Sequence, residues 1–311
     1  MPQHRELPVN GITMHVAEEG EGPLVLLLHG FPESWYSWRH QFGPLAAAGY
    51  RVVAPDQRGY GGTDRPDDVD AYTILHLVGD VVGLIAALGE REAVVVGHDW
   101  GAPVAWHTAQ MRPDLVRGVA GLSVPPMPRG SVPPLVAARR RFGDDFYQLY
   151  FQQPGVADAE LGRDPRAAFR RTLVGLSGDA VPPSSRGEGF LGAFPDPEEL
   201  PAWLTEADVD AFVEQFDRTG FTGGLNWYRN IDRNWELTAP WQDAVITPPA
   251  LFVTGDRDLV RGFSPPNLFE LLPGALPNLR GVHDLAGCGH WTQQERADDV
   301  NRALLEFLDG L

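Results

Sequence analysis

Residues 94–103 read VVVGHDWGAP, and the part played by Asp99 within them decides the fold. Three valines form a β-branched apolar run of the kind that fills a buried strand. Gly97 ends the run, Asp99 follows two residues later, Gly101 follows that, and an apolar helical pattern comes next. A strand that passes straight into a helix through Gly-x-Asp-x-Gly must bend tightly, so the flanking positions must be small. Such a bend thrusts its central side chain beyond the carboxyl end of the strand, where open α/β sheets bind ligands. This is the pattern of a nucleophile elbow, with Asp in the place usually held by Ser. The competing reading is that Asp99 only caps the helix behind it, a role that Asp favours.

The rest of the chain discriminates between these readings. A working elbow needs a base, a group that orients the base, and donors for an oxyanion. In this architecture the order along the chain is nucleophile, acid, histidine. Of nine histidines, His290 stands near the C-terminus in LAGCGHWTQQE, a glycine-bracketed loop. His4, His15, His40, His76, His107 and His283 are assigned surface or core roles. The acid is expected after the preceding strand, where LFVTGDRDLV offers Asp256 and Asp258. Asp258 lies deeper in the loop and is chosen; Asp256 is expected to fix the turn. Oxyanion donors are expected from the residue after the nucleophile, Trp100, and from the turn after an early strand, LLLHGFPES. There the backbone N–H of Phe31 is the candidate, since Pro32 has none to give.

Outward from the elbow, apolar runs at 23–28, 51–55, 93–97, 116–124 and 250–254 read as strands of a mostly parallel sheet, buried on both faces. Helical patterns at 72–88 and 102–111 lie between them, which predicts an α/β fold. Residues 11–18 alternate better and are expected as an antiparallel edge. From 125 to 247 no buried strand is expected. Proline clusters there separate helical pieces at 134–142, 144–151, 165–174, 205–219 and 223–235. The expected organisation is a core formed by 1–126 and 246–311, with an all-helical lid (cap) at 127–245. The Gly-, Ser- and Pro-rich loop 175–194 is the expected mobile segment.

Composition narrows the function. The chain has 311 residues and a net charge of −17; its 25 basic residues are all Arg. That balance argues against nucleic acid or an anionic membrane as partner. With no Lys, lysine Schiff-base chemistry is excluded. The one cysteine, Cys288, allows no intrachain disulfide, and MPQHRELPVN has no apolar signal core. A cytoplasmic protein is expected. No His, Cys and carboxylate cluster has ligand spacing, so neither a metal nor a cofactor is implied.

Seven motifs span nearly the whole chain: HGFPESWYSWRHQ (29–41), PDQRGYGGT (55–63), GHDWG (97–101), FYQLYFQQPG (146–155), GGLNWYRN (223–230), GDRD (255–258) and CGHWTQQE (288–295). Together they resemble the epoxide hydrolases of the α/β-hydrolase superfamily, most of all the soluble type. The resemblance implies that Asp99 is the nucleophile, His290 the water-activating base and Asp258 its orienting carboxylate. It further implies that two lid tyrosines, Tyr147 and Tyr228, bind the epoxide oxygen, with Tyr150 ranked second to Tyr147. Without the resemblance all three tyrosines read as lid packing. Phe31, Pro32, Trp100, Tyr150, Trp227 and Trp291 are assigned to the substrate pocket, whose Trp, Phe, Leu and Pro content suits an apolar or aromatic epoxide. The partners so implied are an epoxide and water, with the chain a monomer or homodimer. Detoxification and biosynthesis both fit that chemistry. Two rival readings are a haloalkane or haloacid dehalogenase, which also uses an Asp elbow, and a ligand-binding protein of the same fold without turnover. The lid tyrosines favour an epoxide oxygen over a halide, and a non-catalytic binder has no need of the whole set.

Overall fold

The computed structural model describes residues 2–180 and 188–311. One eight-stranded sheet organises it, built from β1 (Gln3–Val9), β2 (Ile12–Glu19), β3 (Leu24–Leu28), β4 (Arg51–Pro55), β5 (Ala93–His98), β6 (Val116–Leu122), β7 (Ala250–Gly255) and β8 (Leu279–Leu285). Their spatial order is β1-β2-β4-β3-β5-β6-β7-β8. β1 and β2 run antiparallel; from β4 to β8 the strands are parallel. β3 and the elbow strand β5 are buried at every residue.

Alternation along these strands divides the apolar residues between two cores. Leu24, Leu26, Leu28 and Val95 face one, shared with the helices Ile74–Ala87 and Gly101–Met111 and with Phe169, Phe212 and Phe216 of the helical stretch between β6 and β7. Val25, Leu27, Val94 and Val96 face the other, packed by the helices Arg39–Ala47 and Ala297–Asp309. Two covered faces explain why these strands read as unbroken apolar runs.

Two strands escape the sequence pattern. β1 is polar and largely exposed, so residues 11–18 are not the edge; β1 lies outside them. The hairpin turns on Asn10-Gly11, both at positive φ (46° and 79°), the conformation for which Asn-Gly is favoured. β8 is an edge strand with alternating half-exposed residues, and its sequence LRGVHDL offers no apolar run. β6 stops at Leu122 because Ser123 adopts φ 68°.

Between β6 and β7 the described residues contain helices and no strand. The expected helix at 134–142 is observed with those bounds; 165–174 and 205–219 match Pro165–Gly175 and Glu206–Thr219 closely. The piece expected at 223–235 is two helices, Thr222–Arg229 and Ile231–Leu237, broken at Asn230, whose amide donates to Val69 and Asn226 carbonyls. Only Tyr147–Tyr150 of 144–151 is helical, and Val156–Gly162 was not anticipated. Of the expected mobile loop 175–194, residues 181–187 lie outside the described residues. No helix among the described residues is long and apolar enough to cross a membrane.

Candidate active site

Asp99 sits at the tip of β5 with φ 48°, a left-handed backbone that a non-glycine residue rarely adopts. The glycines around it make room. A Cβ on Gly97 would lie 2.0 Å from the Gly101 carbonyl oxygen, and one on Gly101 would lie 2.0 Å from that of Leu28. Gly30 serves the carboxylate itself: its missing Cβ would lie 2.2 Å from Asp99 Oδ1. The turn after β3 therefore closes on the side chain, and the Phe31 N–H donates to Asp99 Oδ1 at 2.7 Å. Trp100 caps the helix Gly101–Met111, at the end where backbone N–H groups have no partner within the helix. Pro32 follows Phe31 through a cis peptide bond.

His290 lies between β8 and the short helix Thr292–Glu295, with both ring nitrogens facing carboxylates. Nε2 is 3.4 Å from Asp99 Oδ2, and Nδ1 is 3.1 Å from Asp258 Oδ1. Asp258 is fixed in turn as cap of the 3-10 helix Leu259–Phe263, accepting from Val260 N–H at 2.9 Å. Asp256 instead accepts from Gly287 N–H at 2.7 Å and pins the neighbouring turn. Burial opposes charge on both His290 and Asp99, but the groups facing them outweigh it. His290 is held well above the ordinary histidine value by Asp258 and then Asp99. Asp99 ends below the ordinary carboxylate value through His290, His98 and the Phe31 N–H. Both shifts favour the imidazolium–carboxylate form of the pair.

Aromatic rings close the space beside Asp99. Tyr228 meets Trp100 at 5.2 Å and Phe31 at 5.4 Å between centroids, edge to face, and Tyr147 lies 6.0 Å from Tyr228. Burial first, then the charge of Asp99, pushes both phenols up, so both stay protonated at neutral pH. Gln148 Nε2 donates to the Tyr147 oxygen at 3.1 Å, which leaves the Tyr147 O–H to donate elsewhere. Tyr150 is separated from this group: its phenol hydrogen-bonds Glu160 and, mostly through burial, is raised to about 12. Trp227 is buried with its indole N–H on the Arg58 carbonyl, its ring 5.9 Å from Trp100. Trp291 is buried with its N–H on the Leu173 carbonyl, and its ring meets His290 at 4.8 Å.

Sequence reasoning missed a second buried layer. Glu33 accepts from Gly30 N–H (3.1 Å), Gln293 (3.0 Å) and Gln294 (3.1 Å), and lies 2.7 Å from His98 Nδ1. His98 Nε2 and Ser123 Oγ both donate to the His290 carbonyl at 2.7 Å. Burial opposes charge on Glu33, but His98 draws it below the ordinary carboxylate value. Glu33 thus braces the Phe31 turn, and His98 the backbone of His290. His98 stands beside Asp99 in the elbow motif, which was the available signal. Among the described residues no group of His, Cys, Asp and Glu is arranged to hold a metal ion.

A carboxylate on a strand-to-helix elbow, facing a His–Asp pair across the carboxyl end of a mostly parallel sheet, is the arrangement of an α/β-hydrolase. Residues 23–297 match the alpha/beta hydrolase fold family. The chain is 48% identical to epoxide hydrolase A of Mycobacterium tuberculosis, covering 100% of this chain and 98% of that protein. It is 45% identical to epoxide hydrolase 1 of Siraitia grosvenorii, covering 98% of each. The crystal structure of epoxide hydrolase A from Mycobacterium thermoresistibile superposes with a TM-score of 0.93 at 49% identity, over 100% of this chain and 99% of that one. Within the α/β-hydrolase fold, the chain belongs to the epoxide hydrolases, and it is an enzyme of that kind.

Proposed function

We propose that the enzyme converts an apolar or aromatic epoxide to a vicinal diol through a covalent ester on Asp99. The observation that carries this reading is the placement of the Asp99 carboxylate, held by the Phe31 N–H, beside Tyr228 and Tyr147, two phenols that burial first and then its charge keep protonated. An epoxide has a strained ring and no good leaving group. Asp99 opens it by in-line attack at carbon, needing no base because it is already an anion. Tyr147 and Tyr228 donate to the ring oxygen as it becomes an alkoxide.

The ester that forms changes the charge around His290. Asp99 was one of the two carboxylates holding the imidazolium; as an ester it is neutral. His290 then releases its proton, which neutralises the alkoxide left by ring opening, and as neutral imidazole it can deprotonate water, with Asp258 still orienting Nδ1. Hydroxide attacks the ester carbonyl. Asp99 Oδ1 already rests on the Phe31 N–H, so the oxyanion develops against a donor in place, and the Trp100 N–H is the second donor in this reading. The diol leaves and the carboxylate is restored.

The segment 127–245 acts in this reading as a cap that brings the phenols over the core, and Phe31, Pro32 and Trp100 line the cleft. A cytoplasmic setting, no nucleic-acid or membrane partner, and a monomer or homodimer complete it. The test mixes the His290→Gln variant with styrene oxide and weighs the intact protein. A mass gain of one epoxide on Asp99 supports the ester route; diol release without any adduct contradicts it. Halide release measured beside diol formation separates dehalogenation.

A further inference from the structure

The motif CGHWTQQE ends in a carboxylate that the chemistry above does not use. Glu295 closes the short helix behind His290, yet its side chain turns back onto backbone N–H groups. Oε2 accepts from Gly289 at 2.8 Å and Oε1 from Trp291 at 3.0 Å, the two residues flanking His290. Oε2 also accepts at 2.8 Å from Gly178, far away in sequence, in the turn just beyond the helix Pro165–Gly175. Burial pushes Glu295 above the ordinary carboxylate value, against the pull of these three donors and of His290.

That joint between two parts of the chain is drawn tight by further bonds. His290 N–H donates to the Leu176 carbonyl at 2.9 Å. The Gly178 carbonyl accepts from the Arg257 guanidinium at 2.8 Å, and Arg257 N–H donates to the Cys288 carbonyl at 2.9 Å. Three glycines allow the backbones to touch. A Cβ on Gly178 would lie 2.2 Å from the Gly287 carbonyl oxygen, one on Gly289 would lie 2.2 Å from Gly178 N, and one on Gly255 would lie 2.2 Å from the Cys288 carbonyl oxygen. The loop carrying His290 is therefore gripped from the helical segment as well as from the sheet.

We infer that Glu295 is a positioning residue for ester hydrolysis, coupling the 176–178 segment to the placement of His290. The inference rests on the covalent reading above. Ring opening uses Asp99 and the phenols, and Asp99 has its own anchor in the Phe31 N–H. Ester hydrolysis alone requires the His290 ring to stand correctly over water and the ester carbonyl. Loosening Glu295 lets the loop drift and slows the second step selectively.

The experiment is rapid quench with styrene oxide and intact-mass detection, giving the rates of ester formation and decay separately. Glu295→Gln keeps the shape but replaces one acceptor with a donor. We expect its ester decay to fall by about ten- to a hundredfold, the cost of a misplaced catalytic group, with formation little changed. Ester then accumulates at steady state, and kcat falls with KM. Gly178→Ala strikes the joint from the other side while leaving the carboxylate intact, and we expect the same split; it also serves if Glu295→Gln fails to fold. Equal slowing of both steps, or decay at the wild-type rate in either folded variant, overturns the proposal. An ester in wild type and in His290→Gln with decay unaltered in Glu295→Gln overturns it alone. No ester in His290→Gln overturns the covalent reading, and this inference with it.

Discussion

The elbow and the phenols, the two halves of the proposed site, are held by different physics. Asp99 is placed mainly by backbone: glycines without side chains, a positive φ, and the Phe31 N–H on one carboxylate oxygen, with the His290 ring facing the other. Tyr147 and Tyr228 are placed mainly by ring packing, with Phe151 meeting Tyr147 at 5.6 Å and Tyr228 at 4.9 Å, and Gln148 adding one hydrogen bond on the Tyr147 oxygen. Backbone geometry fixes a charge to within a fraction of an ångström, which the proposed covalent attack requires. Edge-to-face packing holds a neutral donor in a dry place, which is enough to receive a developing alkoxide. Substitutions in the first half should act as switches, and those in the second as graded losses.

The largest effect is expected from Asp99→Ala, which should abolish diol formation, a loss of about ten-thousandfold or more by chromatography of the product. His290→Gln should leave epoxide consumption near one equivalent per enzyme while turnover falls by about a thousandfold, measured by burst kinetics. Tyr147→Phe and Tyr228→Phe should each slow ring opening in single turnover by about a hundredfold, and the double variant further, with circular dichroism unchanged. If the double variant alkylates at the wild-type rate, the phenols take no part and the contrast between the halves fails. A smaller effect concerns charge. Asp99→Asn removes one of the carboxylates that raise His290, so its titration, followed by NMR, should move down toward the ordinary histidine value. An unmoved titration would mean that Asp258 alone sets the charge of His290. Tyr150→Phe should be smallest of all, changing turnover by no more than about twofold, because its phenol is engaged by Glu160.

The same contrast explains what the sequence disclosed. The elbow is local: Gly97, Asp99 and Gly101 stand within five positions, and the strand before them is a plain apolar run. The order Asp99, Asp258, His290 follows from strand order, and the structure brings the three side chains together. The Glu33–His98 pair left no such trace, since 65 positions separate partners that meet only through the fold. Nor do Tyr147 and Tyr150 differ by spacing: three residues apart on a helical turn, they are near neighbours on one face. What divides them is Gln148 against one phenol and Glu160 against the other. β8 was invisible because an edge strand needs only alternate half-burial. β1 was legible in principle through Asn10-Gly11, a turn signal stronger than the polar strand before it.

The covalent role of Asp99 is tested most directly by a single turnover in heavy-oxygen water with enzyme in excess over epoxide, followed by proteolysis. Hydrolysis at the ester carbonyl places the label in the Asp99 carboxylate and gives a diol whose new oxygen came unlabelled from the enzyme. Label confined to the diol, with none in the peptide containing Asp99, would mean that water attacks the epoxide directly and would contradict the account.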